Sequence, residues 1–210
     1  MAARPETTWR RLDAAFQNYL RFIGRKQNRN KLSLLDLLHV SNFKGGNASI
    51  TSTEKEVDKR LKVYSDVLRQ IAEEFDDRAL ATLDDHETNA LVSQCKQLLG
   101  LTRSNSTSIE GFGPSYASAL LAAHFPALVP VLDRRIVNGL GLKAEWTSQR
   151  QIKRIETHYP NVIRSFRKRL RAGEADNLRD LDRVLFVVPL PDHKEKRPRR
   201  PSFSGKSSAK

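Results

Sequence analysis

Apolar residues along this chain recur at helical spacing. Trp9, Leu12, Phe16, Leu20 and the pair Phe22–Ile23 mark one face of a helix over about residues 7–24. Leu32 to Leu38 form a second helix, too apolar to be a surface element. It gives way to Asn42-Phe43-Lys44-Gly45-Gly46-Asn47, a loop by its turn residues. Val57, Leu61, Tyr64, Leu68, Ile71 and Phe75 repeat at steps of four and three. They predict a long helix with one buried stripe, capped by Ser52 or Thr53 with Glu56 following. Further helices are predicted over about 87–99, ending at Gly100, and over about 134–140, 148–158, 161–172 and 177–187. No alternating run long enough for a strand is present, nor is an internal repeat. The pattern predicts an all-α protein, with one helical domain over residues 1–190 and a disordered basic tail over 191–210. That tail is rich in lysine, arginine, proline and serine.

Charge narrows the choice of partner. The chain has 210 residues and a formal net charge of +13, so its field attracts polyanions. Nucleic acid is the first candidate and an anionic membrane the second. The single cysteine, Cys95, excludes an internal disulfide, an iron–sulfur cluster and a cysteine-based zinc site. It follows Leu91 and precedes Leu98 at helical spacing, as a small core residue would. The five histidines show no metal-ligand spacing, and His124 is expected to face solvent or cap carbonyls at the end of its helix. No apolar run is long enough to span a bilayer. The expectation is a cytoplasmic monomer, nucleoid-associated if the source is bacterial, without cofactor, metal or membrane.

The densest local signal is Ile109-Glu110-Gly111-Phe112-Gly113-Pro114-Ser115-Tyr116-Ala117, within a hairpin unit over 109–121. Two glycines flank one apolar residue and a helix begins at once. Glycine permits positive φ and close approach of the backbone to a ligand. Phe112 can plug into the core, and Pro114 suits a first helical turn. The N–H groups of the turn and of the helix start then form a site for an anion such as a DNA phosphate. An ordinary helix–helix turn would use the same residues.

A second motif decides how the first is read. Val131-Leu132-Asp133-Arg134-Arg135-Ile136, in the loop over 130–136, places Asp133 twenty positions after Gly113. Together the run Ile109–Gly141 resembles the helix-hairpin-helix DNA glycosylase superfamily, which includes endonuclease III, the adenine mismatch glycosylase and the oxoguanine glycosylases. The resemblance implies a two-lobed helical fold with a central cleft, double-stranded DNA as partner, and a base flipped into the cleft. It implies that Gly111, Phe112, Gly113 and Ser115 meet DNA and that Asp133 stabilises positive charge on the sugar. Asp133 also stands where a helix N-cap would. Looser likeness covers Leu37–Phe43, the family's early helix and gap-entering loop, which adds Ser41 and Asn42 as DNA contacts, and Lys44 just beyond it is a candidate phosphate contact. The likeness also covers the closing helix Leu178–Arg183.

In lyase members a lysine stands two residues after the second hairpin glycine. Here that residue is Ser115, which cannot form a Schiff base. The implied activity is therefore a monofunctional glycosylase that hydrolyses the N-glycosidic bond of a damaged or modified base. The short chain without a cluster points to a specialised enzyme, one acting on modified bases of foreign, phage-type DNA. Asp36 is either an acid for the leaving base or a helix charge held as a buried salt-bridge partner. Phe43, Tyr116 and Trp146 are candidates for stacking on that base. Arg164, Arg167, Lys168 and Arg171 form one helical face suited to the DNA backbone or to plain solvation. Two other readings remain open: a non-catalytic hairpin module that binds DNA, and an RNA-binding or regulatory protein working through its basic tail.

Overall fold

The first apolar stripe becomes α1 (Pro5–Gly24), which buries Trp9, Phe16, Tyr19 and Ile23. The computed structural model describes residues 5–46, 49–75 and 77–190. Among these residues there are eight α-helices, two short 3-10 turns and no β-strand. The tail 191–210 lies outside them.

Helix α2 (Leu34–Phe43) runs past the expected loop start, so Asn42 and Phe43 are helical. It is not wholly interior: Leu35 and Leu38 are about half exposed, while Leu37 and Val40 are sealed. Its apolar content is thus spread around the helix rather than confined to a buried face. Helix α3 (Glu54–Phe75) carries the long stripe, and Thr53 and Glu56 exchange hydrogen bonds as a capping box. Helix α4 (Asp85–Leu101) starts at an Asp84–Glu87 capping box and passes through Gly100, which does not stop it.

Helix α5 (Pro114–His124) is apolar all round and is buried accordingly, packed against α1, α2 and α4. Helix α6 (Arg134–Gly139) is capped by Asp133. The expected helix over 148–158 is replaced by a small backbone loop-back. Trp146 pairs with Ile152, Thr147 N–H donates to the Gln151 carbonyl, and Arg150 and Arg154 take positive φ. Only a 3-10 turn at Ile155–His158 precedes α7 (Tyr159–Arg171). Helix α8 (Leu178–Phe186) then returns to α1, α6 and α7. Gly139 permits the close approach of α8, since a Cβ there would meet the Leu185 backbone. The buried side chains form one continuous core.

His124 is buried, not solvent-facing. Its Nε2 lies 3.4 Å from the Tyr19 hydroxyl, and burial pushes its pKa down to about 3. On α7, Arg167 and Arg171 donate to the carbonyls of Ala81 and Leu83, and Arg164 to Asn89. These arginines fasten α7 to α4 and to the turn before it, which accounts for most of the face expected to meet DNA or solvent.

Candidate functional site

The hairpin is built from its glycines outward. Gly111 has φ +78°, and a Cβ there would collide with the Ser49 carbonyl. Phe112 is buried against Tyr64, edge to face at 6.0 Å, so it anchors the turn from inside rather than facing a ligand. Gly113 is different. Its φ of −88° and ψ of −177° suit any residue, and a Cβ would meet nothing within 4 Å. Neither backbone nor packing requires glycine there. The N–H groups of Gly113 and Ser115 form no hydrogen bond among the described residues.

Helix α5 also positions Asp133. Ser115 Oγ donates to the Leu132 carbonyl at 2.8 Å, and Leu132 N–H donates to Ser118 Oγ at 2.8 Å. Tyr159 braces the same segment by donating to the Pro130 carbonyl at 2.8 Å. The Ser115 hydroxyl is thereby directed to the protein, not outward. These bonds are the physical link behind the spacing of hairpin and aspartate in the sequence.

Asp133 uses its two oxygens differently. Oδ1 accepts the Arg135 N–H at 2.8 Å as the helix cap, and Oδ2 pairs with Lys44 Nζ at 2.7 Å. Burial alone would raise its pKa. The Lys44 ammonium, that hydrogen bond, the Arg135 N–H and the Arg134 charge outweigh burial and hold the carboxyl below the usual range. Lys44 is one-tenth exposed, so its charge is directed at Asp133 rather than at an external phosphate.

The pair borders a pocket where α1, the end of α2, the start of α6 and α8 meet. Trp9, Phe43, Val131 and Phe186 supply apolar walls, and Arg179 and Asp182 add charge. Its free space is about 50 Å³, room for one or two waters. The Arg179 guanidinium lies over Trp9 at 4.0 Å and Phe16 at 4.5 Å, and its Nε donates to Asp13 at 2.8 Å. Burial raises the Asp182 pKa to about 7, against the lowering charges of Arg179 and Lys44 and with the raising charge of Asp133.

The other expected site residues lie elsewhere or act differently. Asp36 is fully buried and does not line this pocket. It is the third residue of the α2 capping box, bonded to Ser33, and it pairs with Lys26 and accepts from Tyr19. That set is the buried salt-bridge role. Ser41 is buried, while Asn42 is exposed. Phe43 lines the pocket but packs tilted against Phe16, with ring centroids 4.9 Å apart. Tyr116 packs beside Phe112, and Trp146 lies in the loop-back; neither lines the pocket. Arg179 and Asp182 were not singled out from the sequence. Their signal was legible: charges three residues apart that interrupt the apolar positions Leu178, Leu181 and Leu185.

A family model described as a family of unknown function, DUF6308, matches residues 5–185. The chain belongs to DUF6308. Neither the curated proteins nor the solved structures contain a match to it. Among the described residues of this DUF6308 chain, no helix is long and apolar enough to cross a membrane. No group of three or more His, Cys, Asp or Glu side chains there could hold a metal ion.

Proposed function

We propose that this DUF6308 chain is a monofunctional DNA glycosylase that hydrolyses the N-glycosidic bond of a damaged or modified base. One observation carries the reading. The ionised Asp133 caps α6 beside an aromatic-lined pocket, and the bonds of Ser115 and Ser118 tie it to the hairpin. Base loss leaves positive charge on the deoxyribose, and a fixed carboxylate stabilises that charge. The open N–H groups at Gly113 and Ser115 would take a backbone phosphate. In this reading the pocket is the cleft of a two-lobed fold, double-stranded DNA is the partner, and modified bases of foreign DNA are the substrate class. The walls must part to admit the base, because about 50 Å³ does not hold one.

The same closure favours a second reading, a hairpin module that binds DNA without chemistry. Duplexes carrying single modified bases, incubated with protein and then alkali, separate the two. The glycosylase reading expects strand cleavage on at least one duplex. It also expects Asp133→Asn to lose on the order of a hundredfold in single-turnover rate while still binding DNA. Binding without base release from any duplex would leave the module.

A further inference from the structure

Asp182 stands out among the buried polar groups. Its side chain is 7% exposed, and it lines the pocket that Asp133 borders. Oδ2 lies 3.3 Å from Arg179 Nη1, a long contact. Oδ1 is buried and makes no hydrogen bond among the described residues, and Arg179 Nη2 is likewise unpaired. Buried polar atoms normally find partners, so an unpaired carboxyl oxygen and an unpaired guanidinium nitrogen in one pocket point to a missing polar ligand.

The surroundings decide which carboxyl holds a proton. Asp133 has the Lys44 ammonium at 2.7 Å and the Arg135 N–H at 2.8 Å. Asp182 shares Arg179 with Asp13 on α1, and the tighter bond, 2.8 Å, goes to Asp13. Lys44 acts on Asp182 only at longer range, Asp133 repels its charge, and from α7 the buried Tyr159 brings no cation. Two carboxylates in one pocket separate in proton affinity, and the better-paired one ionises first.

We infer that Asp182 is a second catalytic group of this pocket, the carboxylic acid that gives its proton to the leaving base while Asp133 stays ionised. The inference rests on the base-excision reading above. The bond from C1′ to the base nitrogen breaks, and its electron pair goes to the base. That nitrogen takes the Asp182 proton, so the base leaves neutral. Water oxygen bonds to C1′, and the proton that water sheds passes to solvent, from which Asp182 is reprotonated. Arg179, beside it, is placed to hydrogen-bond an acceptor on the same base. Burial of Asp182, which moves its titration up to about pH 7, suits a proton donor working near neutrality.

The test has two arms. In the first, the full chain is labelled with ¹³C aspartate, its side-chain carboxyls are assigned through the backbone, and they are titrated without DNA. Asp182 should titrate near pH 7 and Asp133 below the usual range. An Asp182 midpoint at or below about 4 overturns the proposal without any substrate or variant. In the second, single-turnover excision is followed from pH 5.5 to 9. The probe is whichever duplex of a panel the wild type cleaves: uracil, 8-oxoguanine, or hydroxymethylated or glucosylated cytosine. The rate should fall as pH rises through about 7. Asp182→Asn should lose that limb and about a hundredfold in rate at pH 6. An unchanged profile in Asp182→Asn, with Asp133→Asn inactive, overturns the role of Asp182 and leaves base excision standing. Failure of the wild type on every duplex overturns both.

Discussion

Lys44 Nζ lies 2.7 Å from Asp133 Oδ2, joining the end of α2 to the start of α6 across 89 positions of sequence. Both side chains are largely shielded, at 10% and 23% exposure. Removing one partner leaves the other charge poorly solvated, which costs more than the pair contributes. Lys44→Met and Asp133→Asn should each destabilise the chain by about 1–3 kcal/mol, with a coupling of about 1–2 kcal/mol in the double-mutant cycle. Urea midpoints of the four proteins measure this. Strict additivity would mean the pair contributes nothing to folding.

The same pair bears on strand cleavage. Ser115 offers no amine, and its hydroxyl is bound to the Leu132 carbonyl. The Lys44 amine is in the pocket, but as an ammonium paired with an ionised carboxylate it has no free electron pair to attack C1′. The expected product is an intact strand with an abasic site, cut only by alkali, and borohydride should trap no covalent complex. A trapped complex that Lys44→Met abolishes would make Lys44 a nucleophile and the enzyme a lyase.

The helices were legible because their apolar spacing was strong, as for Val57 to Phe75 in α3. The segment 148–158 misled because Ile152 and Ile155 fit a helical spacing. The backbone there instead closes on itself between Trp146 and Ile152, a tertiary choice that local pattern does not encode. At the site, Asp133 was visible through its distance from Gly113. Its pairing with Lys44 was not, since an ion pair between distant segments leaves no spacing to read. Asp36 stayed open between two roles for a related reason. A carboxylate in an apolar helix suits an acid, but equally a capping-box residue, and only its partners Lys26, Ser33 and Tyr19 distinguish the two.

His124 sets a pH dependence of stability. In the folded chain it takes a proton at about pH 3, in an unfolded one at about 6.5, because burial disfavours the charged ring. Between those values only the unfolded chain binds the proton. Its contribution is therefore complete above about pH 6.5 and is lost as pH falls toward 3. One pH unit corresponds to about 1.4 kcal/mol, so the effect reaches several kcal/mol. Asp182 acts in the opposite sense. Its folded value of about 7 exceeds the unfolded 3.8, so its contribution falls as pH rises through that window. The two slopes partly cancel in the wild type, so the test is the difference between His124→Gln and wild type. The variant should lose less stability on going from pH 7 to pH 4. Parallel curves would show that His124 is not buried as a neutral ring.

Gly111 and Gly113 stand two residues apart and should fail in opposite ways. At Gly111, φ is +78° and a Cβ would strike the Ser49 backbone, so Gly111→Ala should cost about 1–3 kcal/mol or more in stability. At Gly113 the backbone suits alanine and the space is open. Gly113→Ala should change stability by less than about 1 kcal/mol, the usual range for an N-cap exchange. If that open space is where a phosphate oxygen meets the Gly113 and Ser115 N–H groups, a methyl there obstructs it. Gly113→Ala should then weaken DNA binding by a similar factor on every duplex sequence, since a phosphate contact carries no base information. A chain of formal charge +13 should also show affinity falling steeply with salt, and the variant, having lost no cation, should keep the wild-type slope. Fluorescence anisotropy on a labelled duplex at several salt concentrations gives both quantities. A folded Gly113→Ala protein that binds as tightly as wild type would remove the hairpin from the DNA interface, and with it the main reason to place DNA beside Asp133.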